Sequence, residues 1–237
     1  MNNLTAPSPA DTGSRTLWRV AGGLMLGYVV LTFAGVALEQ TLMLGDKAGV
    51  SSAALTQSSL PKNFAGGYIE FLATLTFLLG ALLIANLLRA DGPLGNWLAS
   101  CAAAGAVVAT AVTVSAGFAA GAAALYDGHH GADLSTVVAV NDIRNFAFFL
   151  SGGLFGVFAL AVAAAIRTTG RLPRWVSTTG FVVGVLYHVA IPAARTGVIN
   201  AATLLGFVWM TALGVAALRQ SRSPRRVALG QPASATV

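Results

Sequence analysis

Apolar residues fall in six long, uninterrupted runs, each closed by charged or turn-forming residues. The runs are Val20–Leu38, Ala65–Leu88, Asn96–Tyr126, Phe146–Ile166, Trp175–Ala194 and a last one from Gly197 to Leu218. They are continuous rather than alternating, which excludes a β-barrel. A helix needs about 20 residues to cross a bilayer, so the pattern predicts an all-α polytopic bundle of six transmembrane helices over residues 17–218. Polar segments separate the runs. Residues 1–16 read as a disordered tail, and Glu39–Phe64 is a loop whose Val50–Leu60 portion has weak interfacial-helix character and ends at Pro61. Ala90-Asp91-Gly92-Pro93-Leu94-Gly95 has turn chemistry, Asp127–Asp133 is a polar loop, and residues 219–237 form a basic, disordered tail. The pentapeptide Asn141-Asp142-Ile143-Arg144-Asn145 is predicted to open the fourth helix. Arg15 and Arg19 before the first run suggest an uncleaved signal anchor.

Composition strengthens this reading. Only 9% of residues are charged, 56% are hydrophobic and mean hydropathy is +0.74, whereas a soluble domain carries about 25% charge. The net charge of +6 is distributed unevenly. With the N-terminus inside, the inner segments hold ten arginines (15, 19, 89, 167, 171, 174, 219, 222, 225 and 226), and the outer segments hold four basic residues, Lys47, Lys62, Arg144 and Arg195. That asymmetry predicts both termini in the cytoplasm and a multi-pass protein of a bacterial inner membrane. The basic tail then faces anionic lipid rather than nucleic acid. The single cysteine, Cys101, excludes an intramolecular disulfide. Phosphate-binding, dinucleotide-binding and zinc-protease motifs are absent, and nothing implies a cofactor or a defined metal site.

The few polar residues inside the runs cluster toward the outer side. Glu39, Glu70, Asn141, Asp142, Arg144, Asn145, His188, Arg195 and Asn200 are the candidate ligand-binding residues. Helical spacing puts a stripe of polar or small residues on each helix: Tyr28, Thr32, Gly35 and Glu39 on the first; Glu70, Thr74 and Phe77 on the second; Thr110, Thr113, Gly117 and Gly121 on the third; Asn141, Asn145, Phe148 and Gly152 on the fourth; Gly184, His188, Pro192 and Arg195 on the fifth; Asn200, Thr203 and Phe207 on the sixth. Charge is costly in lipid, so these stripes are expected to face one another around an outward polar pocket. Asp142 and Arg144 diverge on a helix; the expected partners are Glu39 or Glu70 for Arg144, and Arg195 for Asp142. Three functions fit such a pocket: binding or transport of a small or amphiphilic ligand, a hydrolytic or metal-dependent enzyme, and a structural charge network. Ser151, His188 and Glu70 carry nucleophile, base and orienter chemistry, although Ser151-Gly152-Gly153 also reads as close helix packing. His129 and His130, with Asp127 and Asp133, could ligate zinc. Small-xxx-small pairs at Gly23/Gly27, Gly117/Gly121, Gly152/Gly156 and Gly180/Gly184 serve packing within the bundle or a homodimer.

Leu172-Pro173-Arg174-Trp175-Val176-Ser177, followed by Gly180 and Gly184, resembles a segment before helix five in a family of bacterial six-helix integral membrane proteins of unknown function, common in actinobacteria. The resemblance implies the six-helix fold. It implies no activity and no catalytic residue.

Overall fold

The computed structural model describes residues 9–39, 55–192 and 198–222, with side chains from residue 13 onward. The helices are α1 (Pro9–Leu38), α2 (Leu60–Leu87), α3 (Pro93–Val112), α4 (Ala119–His129), α5 (Leu134–Thr169), α6 (Arg174–Ala190) and α7 (Val198–Gln220), with no strand among the described residues. A π-helical segment, Thr113–Phe118, joins α3 to α4 in one rod. Five rods are long and apolar enough to cross a membrane: α1 from Gly13, α2, α3 through α4, α5 and α7. The sixth, α6, has 17 residues, or about 26 Å at 1.5 Å per residue.

Local chemistry sets the helix ends. Pro61 and Pro93 sit in the first turns of α2 and α3, where a missing amide hydrogen costs nothing. Gly170 closes α5 with a φ of 62°, a left-handed conformation that glycine adopts without strain. Asp133 caps α5 by accepting from the Thr136 amide at 3.3 Å, and it also accepts from the Ser135 hydroxyl. The Ser135 hydrogen bond first, and then the Thr136 amide, hold the Asp133 carboxyl below its ordinary value of 3.8. This cap corrects the expected start of the fourth helix: Asn141–Asn145 lies two turns inside α5 rather than at its mouth. Likewise α1 begins at Pro9 rather than Val20, and α6 ends at Ala190 rather than Ala194. Of the weak helix expected at Val50–Leu60, residues 55–57 are helical; residues 40–54 and the basic tail beyond residue 222 lie outside the described residues.

The rods alternate in direction and pack in a ring: α1 on α2, α2 on α3, α3 on α5, α5 on α6, α6 on α7, and α7 back on α1. Glycine pairs set three of these crossings. A Cβ on Gly35 would lie 2.9 Å from the Gly66 carbonyl oxygen and one on Gly66 would lie 2.8 Å from that of Gly35. Between α5 and α6 the corresponding distances for Gly156 and Gly184 are 3.1 and 3.0 Å, and between α1 and α7 those for Gly22 and Gly214 are 2.7 and 3.1 Å. Backbones this close gain dispersion contact without any help from water. Of the four predicted small-residue pairs, Gly152/Gly156 and Gly180/Gly184 pack inside the bundle, against Tyr187 and His188, and against Trp209 and Leu160, whereas Gly23 has nothing within 4 Å.

The end of the ring where the chain starts and stops is solid. Met25, Ile84, Ile166, Met210 and Leu213 are fully buried there. The Trp209 indole donates to the Val176 carbonyl at 3.0 Å, the Ser177 hydroxyl to that of Ala163 at 2.7 Å, and Arg171 to that of Leu87. Outward faces are largely apolar, with Val30, Leu79, Phe146, Val182 and Val208 all exposed. Exposed Trp97 and Trp175 mark one rim of this belt; exposed Tyr68 and Tyr126 mark the other. From Trp97 to Tyr126 is 29 residues, about 43 Å of helix, close to the ~40–45 Å of a bilayer with its headgroups.

Candidate ligand-binding cavity

At the opposite end the ring is hollow. Glu70 and Arg144 each lie ten residues after the first residue of their helices, Leu60 and Leu134, so both sit about 15 Å along rods that start at the same end. Glu39 follows the last residue of α1, and the Gly35–Gly66 crossing holds it against α2. Through that crossing the side chains of Glu39 and Glu70 flank the same pair of glycines. Arg144 reaches over to Glu39, Nη2 to Oε2, at 3.3 Å, and its guanidinium lies 5.4 Å from the Phe148 ring centroid. Gly121 makes room for the Arg144 stem: a Cβ there would be 2.8 Å from Cδ. The expected pairing of Arg144 with Glu39 is therefore present.

These groups border a cavity of about 620 Å³ lined by α1, α2, α3, α5, α6 and α7 and by the π-helical segment. Its walls are more aromatic than the polar stripes suggested. Tyr28 and Phe77 lie 5.3 Å apart between ring centroids, Phe77 and Phe155 5.7 Å, and Phe155 and Tyr187 5.2 Å. Among the described residues, the charged lining is confined to Glu39, Glu70 and Arg144. A second cavity of about 230 Å³ lies between α2, α4 and α5 and includes Asn141; Glu39 and Arg144 line both, so their ion pair stands at the boundary. Phe33, Val36 and Leu204 line the large cavity and are nonetheless exposed. Among the described residues, the cavity thus reaches the bundle's outer surface between the upper halves of α1 and α7.

Among the described residues, two buried polar side chains that line the cavity, Thr110 and Glu70, make no side-chain hydrogen bond. Helical hydroxyls here normally bond back to the carbonyl four residues earlier: Thr32 to Tyr28, Thr74 to Glu70, Thr113 to Ala109 and Thr203 to Ile199, all at 2.8–2.9 Å. Thr110 does not. Its Oγ1 is the one buried side-chain polar atom without a partner among the described residues, and Thr110 is 6% exposed. Thr110 lies one turn before the π-helical segment, and such segments are frequent at functional sites. The Glu70 carboxylate also accepts no hydrogen bond from the described residues; Glu39 and Arg144 are the charges that act on it.

The structure brings together some candidate residues and separates others. Glu39, Glu70, Arg144, Asn145 and Asn200 line the large cavity, and Asn141 lines the small one. Asp142 is exposed and lines neither; Arg195, its expected partner, lies outside the described residues. His188 is a correction. The buried face of α6 is Val176, Gly180, Val183, Gly184 and Tyr187, so the next residue turns outward. His188 is exposed, its Nδ1 lies 2.8 Å from the Gly184 carbonyl oxygen, and its ring rests on Gly156. Tyr187 takes the inward place. With His188 outside, Ser151 and Glu70 have no histidine beside them in the cavity, and the Ser151 hydroxyl donates to the Phe148 carbonyl at 2.9 Å. His129 bridges backbone carbonyl oxygens of Leu125 and Ser58 at 2.8 and 2.7 Å. Among the described residues, no three His, Cys, Asp or Glu side chains are placed to hold a metal ion.

No protein-family model matches the chain, and no curated protein or solved structure matches it either.

Proposed function

We propose that this is a six-span integral protein of a bacterial inner membrane whose outward-facing cavity binds a small or amphiphilic ligand. In this reading α6 is the sixth span. Both termini are cytoplasmic, which the ten-to-four distribution of basic residues supports, and membership in the six-helix family resembled by the 172–184 segment is part of the same proposal. The observation that carries the binding role is the cavity itself, about 620 Å³, walled by aromatic rings and bordered by the buried Glu70 carboxylate. The cavity volume falls within the ~300–1,000 Å³ of small-molecule sites. The opening between α1 and α7 gives a ligand dissolved in the bilayer a direct path. A static charge network explains the Glu39–Arg144 pair, yet it gives no reason for a hollow, aromatic interior.

Native mass spectrometry of the purified protein tests the proposal. Wild type should retain a small-molecule adduct that is lost from Thr113→Phe, which fills the cavity from a half-buried position, while both proteins elute as the same folded species. Identical adduct patterns on the two proteins would reject it.

A further inference from the structure

Among the described residues, the charges that line the large cavity do not balance: they are two carboxylates, Glu39 and Glu70, and one guanidinium, Arg144. Arg144 is matched by Glu39 at 3.3 Å and by the face of Phe148. Glu70, 9% exposed, is left facing the cavity without a hydrogen-bond donor among the described residues. The same cavity is lined by the rings of Tyr28, Phe77, Phe155 and Tyr187, and aromatic faces attract cations. Resting on the ligand-binding reading above, we infer that the occupant is a lipophilic organic cation: a positively charged centre on an apolar body, its charge between Glu70 and the aromatic wall.

Several observations fit this class better than an anion or a neutral lipid. An anion would need Arg144 released from Glu39, and it would then lie beside two carboxylates. A purely apolar molecule would bury Glu70 without a partner, which is costly. A cation satisfies the surplus carboxylate. The exposed apolar side chains between α1 and α7 suit a compound that first dissolves in the membrane; a strongly hydrated inorganic ion would not enter by that route.

The test uses two probes of the same shape and opposite charge. Radiolabelled tetraphenylphosphonium and tetraphenylborate are equilibrated with the full-length protein in lipid nanodiscs, with empty nanodiscs subtracted. The expected result is saturable binding of the phosphonium, one per chain, with the borate at least tenfold weaker. Glu70→Gln, which keeps the side-chain volume, should weaken phosphonium binding at least tenfold, and Glu70→Asp should restore part of it. Equal or tighter binding of the borate overturns the cation assignment while leaving a ligand cavity in place. Saturable phosphonium binding that is unchanged in Glu70→Gln overturns it too, as does the absence of binding by either probe; the adduct experiment above then decides separately whether the cavity binds anything. Because the two-probe comparison is made on wild type, a poorly folding variant does not spoil it.

Discussion

The Gly35–Gly66 crossing allows a sharp test of how the cavity is held open. In Gly66→Ala the new Cβ would lie 2.6 Å from Glu39 Cγ, 2.8 Å from the Gly35 carbonyl oxygen and 2.9 Å from the Glu39 amide nitrogen. Two of these neighbours are backbone and cannot swing away. Restoring an ordinary contact of 3.4 Å to the Gly35 oxygen requires α1 and α2 to part by 0.6 Å. Overpacking of this kind costs about 1–3 kcal/mol, partly offset by up to about 1 kcal/mol from the better helix propensity of alanine. Gly23→Ala is the matched control: it makes the same propensity gain with nothing within 4 Å of its Cβ. The two variants should therefore differ by about 1–3 kcal/mol in an unfolding titration with sodium dodecyl sulfate in mixed micelles, followed by far-ultraviolet circular dichroism. A second consequence concerns the ion pair. The new Cβ would lie 2.6 Å from Glu39 Cγ, so the Glu39 side chain must move away from its place beside Arg144, and double-mutant coupling between those residues should fall in the Gly66→Ala background. If Gly66→Ala is as stable as Gly23→Ala, the crossing is not close-packed and the account of how Glu39 is positioned is wrong.

Thr110→Val removes a hydroxyl that bonds to nothing, so ligand-free protein should gain about 1–3 kcal/mol and melt higher. Thr74→Val, which loses a bond to the Glu70 carbonyl, should melt lower; a lower melting point for Thr110→Val would show that its hydroxyl has a partner. Glu39→Gln and Arg144→Gln should each destabilise, and the double variant should cost less than their sum by about 0.5–3 kcal/mol; strict additivity in the same titration would dismiss the pair as a stabilising contact. Asp133, whose folded pKa is depressed, contributes its cap fully above its unfolded value of 3.8 and loses it as pH falls through the lower folded value. Hydrogen exchange at the first amides of α5 should accelerate in that acid range in wild type and already at neutral pH in Asp133→Ala, with no difference between the two at neutral pH counting against the cap.

The helices were legible because lipid-length apolar runs have few alternative uses. The Arg144–Glu39 pair was legible for a related reason: with so few charges in the chain, each buried one has a short roster of partners. What escaped was phase and detail. On α6 nearly every position from Trp175 to Ala190 is apolar or small, so nothing in the pattern distinguishes a face with Tyr187 inward from one with His188 inward; the Gly156–Gly184 contact decides it. The start of α5 was missed because Asp133 closes a polar loop as naturally as it caps a helix, and the signal that could have located it is the Ser135-Thr136 pair just after. Thr110 falls on the polar stripe of its helix, but its unpartnered hydroxyl could not be foreseen, since any helical threonine can satisfy itself on its own backbone. The aromatic wall was half visible: Phe77 lies on the stripe of its helix, whereas Phe155, read along the chain, looks like ordinary core.

Ring closure by the first and last helices has a consequence for biosynthesis. Gly22 and Gly214 meet across 191 intervening positions of sequence, so the ring cannot close until α7 has left the ribosome. Until α7 docks, the inner faces of α1 and α6 are unsealed, and Glu70 and Arg144 look onto lipid or onto other nascent proteins. An incomplete chain therefore advertises itself by polar groups in the wrong solvent, the kind of exposure that membrane proteases and insertion chaperones can recognise. By the same logic, α7 supplied as a separate peptide has a preformed seat waiting on α1 and α6, and a chain broken in the connection before Val198 could be made whole without a covalent bond.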